Sequence, residues 1–492
     1  MAIDAAGGSG EKRQRVDEQG DRCEAVVADV DRISALPDEL RQRILTLLPL
    51  KDAIRTGAVA RRWRDLWRGR WGHRASVEVH LRSRDAPRRE LDALEREPRP
   101  HRRLDRFSLV AETSTFKSSE LRRFTEYAAE CRVEDLHVEM RKNTLEGKRH
   151  FYLPLCSPLL ARLSLRRIGI SNMYYKNALP FRALEVIRLH SVSISQAASR
   201  KMMALCPSLR ALDLCGCDCD SFFYWNGDRL VMPPNLRRVT VADCEGFAGL
   251  NLVRVPSLRS FCYRGDFLDA PFSLPSDAAL ADLYIQFADS VAELYHSKEL
   301  DNVVPKDLSG LNVLTICSNA LEVAPPLLTR GGANGRLPNL NLHNLRELQL
   351  LMSEMEATYL ADLYVFLKTC QCPNLERLFV QLPPPSYKPM EGSIDEVWEE
   401  PLEDGLHNLV MVKVMNFNWR LAEVQLVSFL LRKARSLRKL LIVSPNVPPP
   451  DLPGVQADLL VLKEALVNGK IMLSESDDAA TQPYHSEVFI KL

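Results

Sequence analysis

An apolar pattern, L-x-x-L-x-L, recurs thirteen times between residues 104 and 442, at intervals of 22 to 34 residues. Other aliphatic or aromatic residues replace some of the leucines. The copies open with Leu104/Phe107/Leu109, Val133/Leu136/Val138 and Leu160/Leu163/Leu165, and the last is Leu437/Leu440/Ile442. The second and third apolar positions lie two residues apart, so on a strand they share one face and the residue between them takes the other. A unit this short cannot bury its own apolar face, and stacking neighbours into one continuous core is the stable solution. Pro207, Pro234, Pro256 and Pro373 stand just ahead of strands, where each pushes the preceding residue out of the α region. Ser118–Cys131, Gln196–Cys206, Ala357–Cys370 and Leu421–Ala434 read as helices between strands.

Period and pattern together signal a leucine-rich-repeat solenoid. The expected class is α/β, with a curved parallel sheet lining a concave face and helical stretches on the convex side. The residues between the paired apolar positions then face the concavity: Arg188, Asp213, Thr240, Cys262, Tyr284, Thr315 and Gln349. Their mixed charge and size suit a specific ligand surface, and Arg188, Asp213, Thr240, Tyr284 and Gln349 are the candidate substrate contacts. The competing reading of each is the solvated face of a sheet. Phe222–Trp225 is an aromatic insertion that either anchors a partner or folds back on the core.

Ahead of the repeats, Asp31–Trp71 carries Leu36, Leu40, Ile44, Leu45, Leu47 and Leu48 at helical spacing. Pro37 fits the first turn of that helix, and Pro49 stops it. Asp52 reads as the N-cap of a second short helix, and Val59, Trp63, Leu66 and Trp67 lie along a third. Three helices in about 40 residues are too small to bury a core unaided. Leu36-Pro37, Leu48-Pro-Leu-Lys-Asp-Ala53 and Ala60-Arg-Arg-Trp-Arg-Asp-Leu-Trp67 resemble the plant F-box, with Gly57 and Ala60 where family members often have serine. The resemblance implies a substrate receptor of a cullin–RING ubiquitin ligase whose F-box docks on a Skp-type adaptor and, through it, cullin. Carried over by position, Leu36, Pro37, Ile44, Leu45, Leu48 and Leu50 face the adaptor, supported by Val59 and Trp63. The other reading is a helical cap that closes the array.

A second resemblance lies near the C-terminus. Leu406–Asn418, Glu423–Leu431 and Ser436–Val443 resemble the plant FBD region, in physical terms two more repeat strands around an amphipathic helix. The expected organisation is therefore a polar tail (1–30), an F-box (31–72), a solenoid (73–405), an FBD-like terminal module (406–443) and an extension (444–492). The extension should hold a helix near Ala457–Val467 and a final strand over Glu487–Leu492. Pro383–Pro385 and the acidic stretch from Glu391 to Asp404 read as an exposed loop.

Composition then narrows the function classes. The net charge of +1 gives no general pull toward nucleic acid or membrane. Residues 51–110 hold 17 Lys/Arg against 9 Asp/Glu, but without a nucleic-acid motif this basic patch better suits solvent or an acidic adaptor. The first 30 residues lack an apolar core, which argues against a secretory signal, and no apolar run is long enough for a membrane span. The twelve cysteines are then expected as reduced thiols. Cys215, Cys217 and Cys219 lack the second ligand pair that zinc sites commonly use. No phosphate-binding, dinucleotide-binding or H-E-x-x-H motif occurs. The expectation is a non-enzymatic, cofactor-free cytoplasmic or nuclear protein with a protein substrate and no nucleic-acid or membrane partner. The alternative is a repeat scaffold or ligand sensor with a structural helical cap.

Overall fold

The structure, a computed structural model, describes residues 36–46, 56, 63–66, 76–82, 86–96, 104–112, 116–141, 150–151, 159–170, 181–219, 230–246, 250–251, 255–266, 272–273, 280–287, 308–318, 342–352, 372–383, 406–444, 446, 456–474 and 481–487. The chain divides into two units, residues 1–74 and 75–492. In the first, a helix runs over Asp38–Thr46. The Pro37 carbonyl accepts from the Leu40 and Arg41 amides, so the proline caps the helix, where its missing N–H removes no helical bond. Leu45 and Trp63 are buried against each other, with Ile44 and Leu66 packed on them. Leu48, Leu50, Val59 and the expected cap at Asp52 lie outside the described residues.

In the second unit all thirteen expected strands form, flanked by one more before them (Ser76–Leu81) and one after (Ile471–Ser474). These fifteen strands pair in sequence order. Every pair is parallel and in repeat register: Leu314 partners Leu348, then Leu378, then Val412, while Ile316 partners Leu350, then Val380, then Val414. The apolar positions of each repeat thus stack directly on those of the next. The result is one core cluster running from Val77 to Ile471. Helices over Ser118–Glu130, Gln196–Leu205 and Leu421–Lys433 lie where apolar spacing placed them. The first buries Leu121, Phe124, Tyr127 and Ala128. The expected helix at Ala357–Cys370, the aromatic insertion at Phe222–Trp225 and the acidic loop lie outside the described residues.

The turns that enter the strands are tied from repeat to repeat. Nδ2 of Asn235, Asn344, Asn374 and Asn408 donates to the carbonyls of Pro207, Ser309, His343 and Pro373 at 2.6–3.1 Å. The Asn-Leu openings therefore do more than interrupt the previous segment: they fix the spacing of neighbouring units. Beyond the FBD-like stretch, a helix forms over Gln456–Val467, and Gly469 (φ +70°) turns the chain into the last strand. Of the strand expected over Glu487–Leu492, only Glu487 is described, and it closes a 3-10 turn over Tyr484–Glu487 instead.

Candidate functional site

Two surfaces have the make-up of protein-binding sites. On the N-terminal helix, Pro37, Leu40 and Ile44 recur at i, i+3 and i+7 and so share a face. Pro37 is exposed, Leu36 and Ile44 are partly buried, and Leu40 is 47% exposed. Leu45 and Trp63 are buried beneath the helix, and Arg41, ion-paired with Asp38, is buried too. A helix that keeps Leu45 inside yet leaves Leu40 in water presents an apolar strip with its scaffold already packed. Leu40 is absent from the sequence-based set of adaptor contacts, although its spacing marked it.

The second surface is the face of the sheet opposite the core. The residue between the paired apolar positions forms a single row across all fifteen strands. In order it runs Glu78, Ser108, His137, Ser164, Arg188, Asp213, Thr240, Cys262, Tyr284, Thr315, Gln349, Phe379, Lys413, Leu441 and Met472. The five candidate substrate contacts all stand in this row, but not in one environment. Among the first six residues only Ser108 is buried; from Thr240 to Lys413 every one is.

In the accessible part, Arg188 is exposed and its neighbour Asp213 half-buried. Asp213 lies 3.5 Å from His190 Nε2 and accepts from Cys215 Sγ at 3.2 Å. Burial raises its carboxyl pKa, but the His190 and Cys215 hydrogen bonds outweigh that and hold it below the usual carboxylate value. Burial, and then the same carboxylate, push the Cys215 thiol up, which keeps it protonated and a poor nucleophile. His137 is pushed down by burial and by Arg106, against Glu139 and Asp135, so it stays neutral near pH 7.

Within the buried part, residues 481–487 of the same chain lie against Asp282, Tyr284, Thr315, Glu347, Arg377 and Lys413. His485 Nδ1 lies 2.8 Å from Thr315 Oγ1 and its Nε2 3.3 Å from Asp282 Oδ1. Its ring meets Tyr284 edge-on at 5.5 Å. Thr315 in turn donates to Gln349 Oε1 at 3.1 Å, and Ser260 donates to Asp282 Oδ1 at 2.6 Å. Three charged side chains hold the backbone on either side. Glu347 accepts the Tyr484 amide at 2.6 Å, Lys413 donates to the Thr481 carbonyl at 2.8 Å, and Arg377 donates to the Gln482 carbonyl at 3.2 Å. Tyr284, expected on an open concave face, is therefore inside a contact within the chain, and Gln349, expected there too, is buried and bonded to Thr315. Nothing in the periodicity of residues 481–487 announces it.

Two triads have donor atoms close enough for a metal, all within 4.8 Å of one another: Cys262–Asp282–His485 and His190–Asp213–Cys215. In the first, Asp282 and both imidazole nitrogens are engaged in the hydrogen bonds just described. Burial, with Asp282 nearby, pushes the Cys262 thiol up to about 12. With Asp282 and both ring nitrogens so engaged, this triad works as a hydrogen-bonded clasp. In the C-x-C-x-C run, Cys215 donates to Asp213, while Cys217 Sγ donates to the Leu189 carbonyl at 3.2 Å.

A fifteen-strand parallel ladder of stacked apolar repeats, preceded in sequence by a small helical unit, defines a leucine-rich-repeat protein. The family model described as "At1g61320/AtMIF1, LRR domain" matches residues 103–446, and that of the F-box domain matches residues 33–74. The Arabidopsis thaliana F-box/LRR-repeat protein At5g54820 is 23% identical over 320 residues, 60% of this chain and 66% of that protein. The FBD-associated F-box protein At4g10400 of the same plant is 26% identical over 240 residues, 47% of this chain and 55% of that protein. The F-box/LRR-repeat protein At3g03360, also from Arabidopsis, is 44% identical over 57 residues, 12% of this chain and 11% of that protein. The chain thus spans under two thirds of the length of each of these three relatives. It belongs to the At1g61320/AtMIF1 LRR family and is a plant F-box/LRR-repeat protein. The FBD-like stretch at 406–443 falls within the matched repeat region. Residues 481–487 fall outside it.

Proposed function

We propose that this protein is the substrate-recognition subunit of an SCF-type E3 ubiquitin ligase, acting in the cytoplasm, the nucleus or both. Its F-box docks on a Skp-type adaptor, and through it on cullin, while the repeats bind a protein substrate. The observation that carries the reading is the F-box match at 33–74 on a helix whose Pro37 and Leu40 lie in water. The protein supplies no chemistry in this scheme. It raises the effective concentration of substrate beside a conjugating enzyme, which brings the reactive cysteine. Buried thiols held protonated at Cys215 and Cys262 fit a non-catalytic role. Substrate contacts are assigned to the accessible part of the row, with Arg188 and Asp213 as its charged pair.

The test is a pull-down of purified protein with a Skp-type adaptor, beside the double variant Leu36→Ala, Pro37→Ala. Wild-type retention that the variant loses, with repeat unfolding unchanged, supports the reading. A well-folded wild type that retains no adaptor overturns it, and the chain is then a repeat scaffold with a helical cap.

A further inference from the structure

The covered part of the row is built like a peptide-binding site, and the chain's own C-terminal segment sits in it. We propose that Asp282, Tyr284, Thr315, Glu347, Arg377 and Lys413 form a recognition site for a short Pro-x-His peptide, which residues 481–487 occupy as an internal mimic. The proposal rests on the ligase reading and adds, beside the accessible contacts at Arg188 and Asp213, a second site with a stated class of substrate segment.

Three features separate this contact from ordinary packing of a chain end. First, the backbone of the segment is read by charged side chains rather than by sheet pairing. Lys413 and Arg377 donate to the consecutive carbonyls of Thr481 and Gln482, and Glu347 accepts the next amide used, that of Tyr484. Such contacts fix the direction and register of any peptide laid there, whatever its side chains. Second, the side chains alternate. Gln482 and Tyr484 are exposed, while Pro483 and His485 are buried, the histidine with only 4% of its surface left. Pro483 and His485 therefore supply specificity, while the exposed Tyr484 ring only meets His485 edge-on at 5.0 Å. Third, the histidine pocket is polar and complete. Both ring nitrogens find partners on two strands, Asp282 and Thr315, and Tyr284 closes the side. Those partners are themselves held by Ser260 and Gln349. A side chain lacking two opposed nitrogens forfeits both bonds and leaves the buried Asp282 carboxylate and Thr315 hydroxyl only those to Ser260 and Gln349, which is the basis of discrimination.

Tethering gives the internal segment an effective concentration on the order of millimolar, so a free peptide at micromolar concentration competes poorly until the segment is weakened. The experiment uses the full chain and a fluorescent synthetic peptide with the sequence of residues 478–490, read by anisotropy. In Pro483→Ala, His485→Ala protein the peptide should bind about ten-fold or more tighter than to wild type. Exchanging the peptide's histidine for alanine should lower that affinity about ten-fold or more. Adding Thr315→Val should do the same, with the repeat unfolding transition retained as the check on folding. The proposal is overturned if the folded double variant binds the peptide no better than wild type, or binds the histidine and alanine peptides alike. Adaptor capture tests the ligase reading separately: loss of peptide binding with adaptor retained sinks the site alone, and the reverse sinks the ligase reading alone.

Discussion

Two adjacent residues in the middle of the array, Leu348 and Gln349, should respond to truncation in opposite ways. Leu348 is fully buried and stacks between Leu314 and Leu378, so it belongs to two inter-repeat interfaces at once. Replacing a buried leucine by alanine removes its transfer free energy and leaves a cavity, at a cost of about 2–5 kcal/mol. Neighbouring parallel strands are hydrogen-bonded on both sides here and cannot collapse into the gap, which puts the expected loss at about 3–4 kcal/mol. Gln349 lies on the other face, and its visible loss on truncation is the hydrogen bond that Oε1 accepts from Thr315. That is worth about 1 kcal/mol. Urea unfolding followed by far-UV circular dichroism gives both numbers in one series. Because repeat arrays couple mainly through nearest neighbours, the Leu348→Ala transition should also broaden as the halves of the array decouple. Should Gln349→Ala cost more than Leu348→Ala, the strand faces the other way and the row of outward residues is wrong along the array.

Other predictions follow from single sites. Glu423 is buried and pushed above the ordinary carboxylate value by burial, against the amides of Asn418 and Arg420 that it accepts at 2.6 and 3.3 Å. A carboxyl whose folded value is raised stabilises below its unfolded value and loses that contribution as pH rises through the folded one. The Glu423→Gln variant should therefore gain stability relative to wild type from about pH 4 to about pH 7, whereas Glu423→Ala, which lacks the cap, should lose about 1 kcal/mol near pH 4 and less than that near pH 7; thermal melts across pH check it. Gly469 has φ +70° in a Schellman turn, where its amide meets the Leu466 carbonyl at 3.1 Å and the Lys470 amide meets the Ala465 carbonyl at 3.0 Å. Although nothing stands within 4 Å of an added Cβ, Gly469→Ala should cost about 1 kcal/mol through backbone conformation alone, measurable by chemical unfolding. Cys206 and Cys262, pushed by burial to about 12, should resist iodoacetamide at pH 8 in the native protein and react once it is unfolded, as peptide mass spectrometry would record.

The solenoid was legible because its signal is local and repeated: each Leu-x-Leu fixes a strand face, and the parallel register follows from stacking alike on alike. The first and last strands escaped the pattern for different reasons. Ser76–Leu81 alternates cleanly but lacks the leading leucine of the unit. Ile471–Ser474 carries one inward residue, Ile471, and joins the sheet because the preceding strand offers an edge. The site was half legible. The between-residues in the accessible part are charged or polar, such as Glu78, His137, Arg188 and Asp213, whereas Thr240, Cys262, Tyr284, Thr315 and Phe379 are small, aromatic or neutral. Strands covered on both faces lose their alternation in this way, so the covering could have been suspected. What covers them could not. Lys413 reads as a solvent-facing lysine, and its bond to the Thr481 carbonyl, 68 residues further along the chain, accompanies its burial. His485 likewise acquires meaning only beside Asp282 and Thr315, and such distant pairings leave no mark in a local window.

The most direct test of the central claim is reconstitution with a Skp-type adaptor and a cullin, followed by size-exclusion chromatography. The full chain should enter the cullin peak only when the adaptor is present, and Leu36→Ala, Pro37→Ala protein should stay out while keeping its repeat fold. Co-migration without adaptor, or exclusion of a folded wild type in its presence, would contradict that claim.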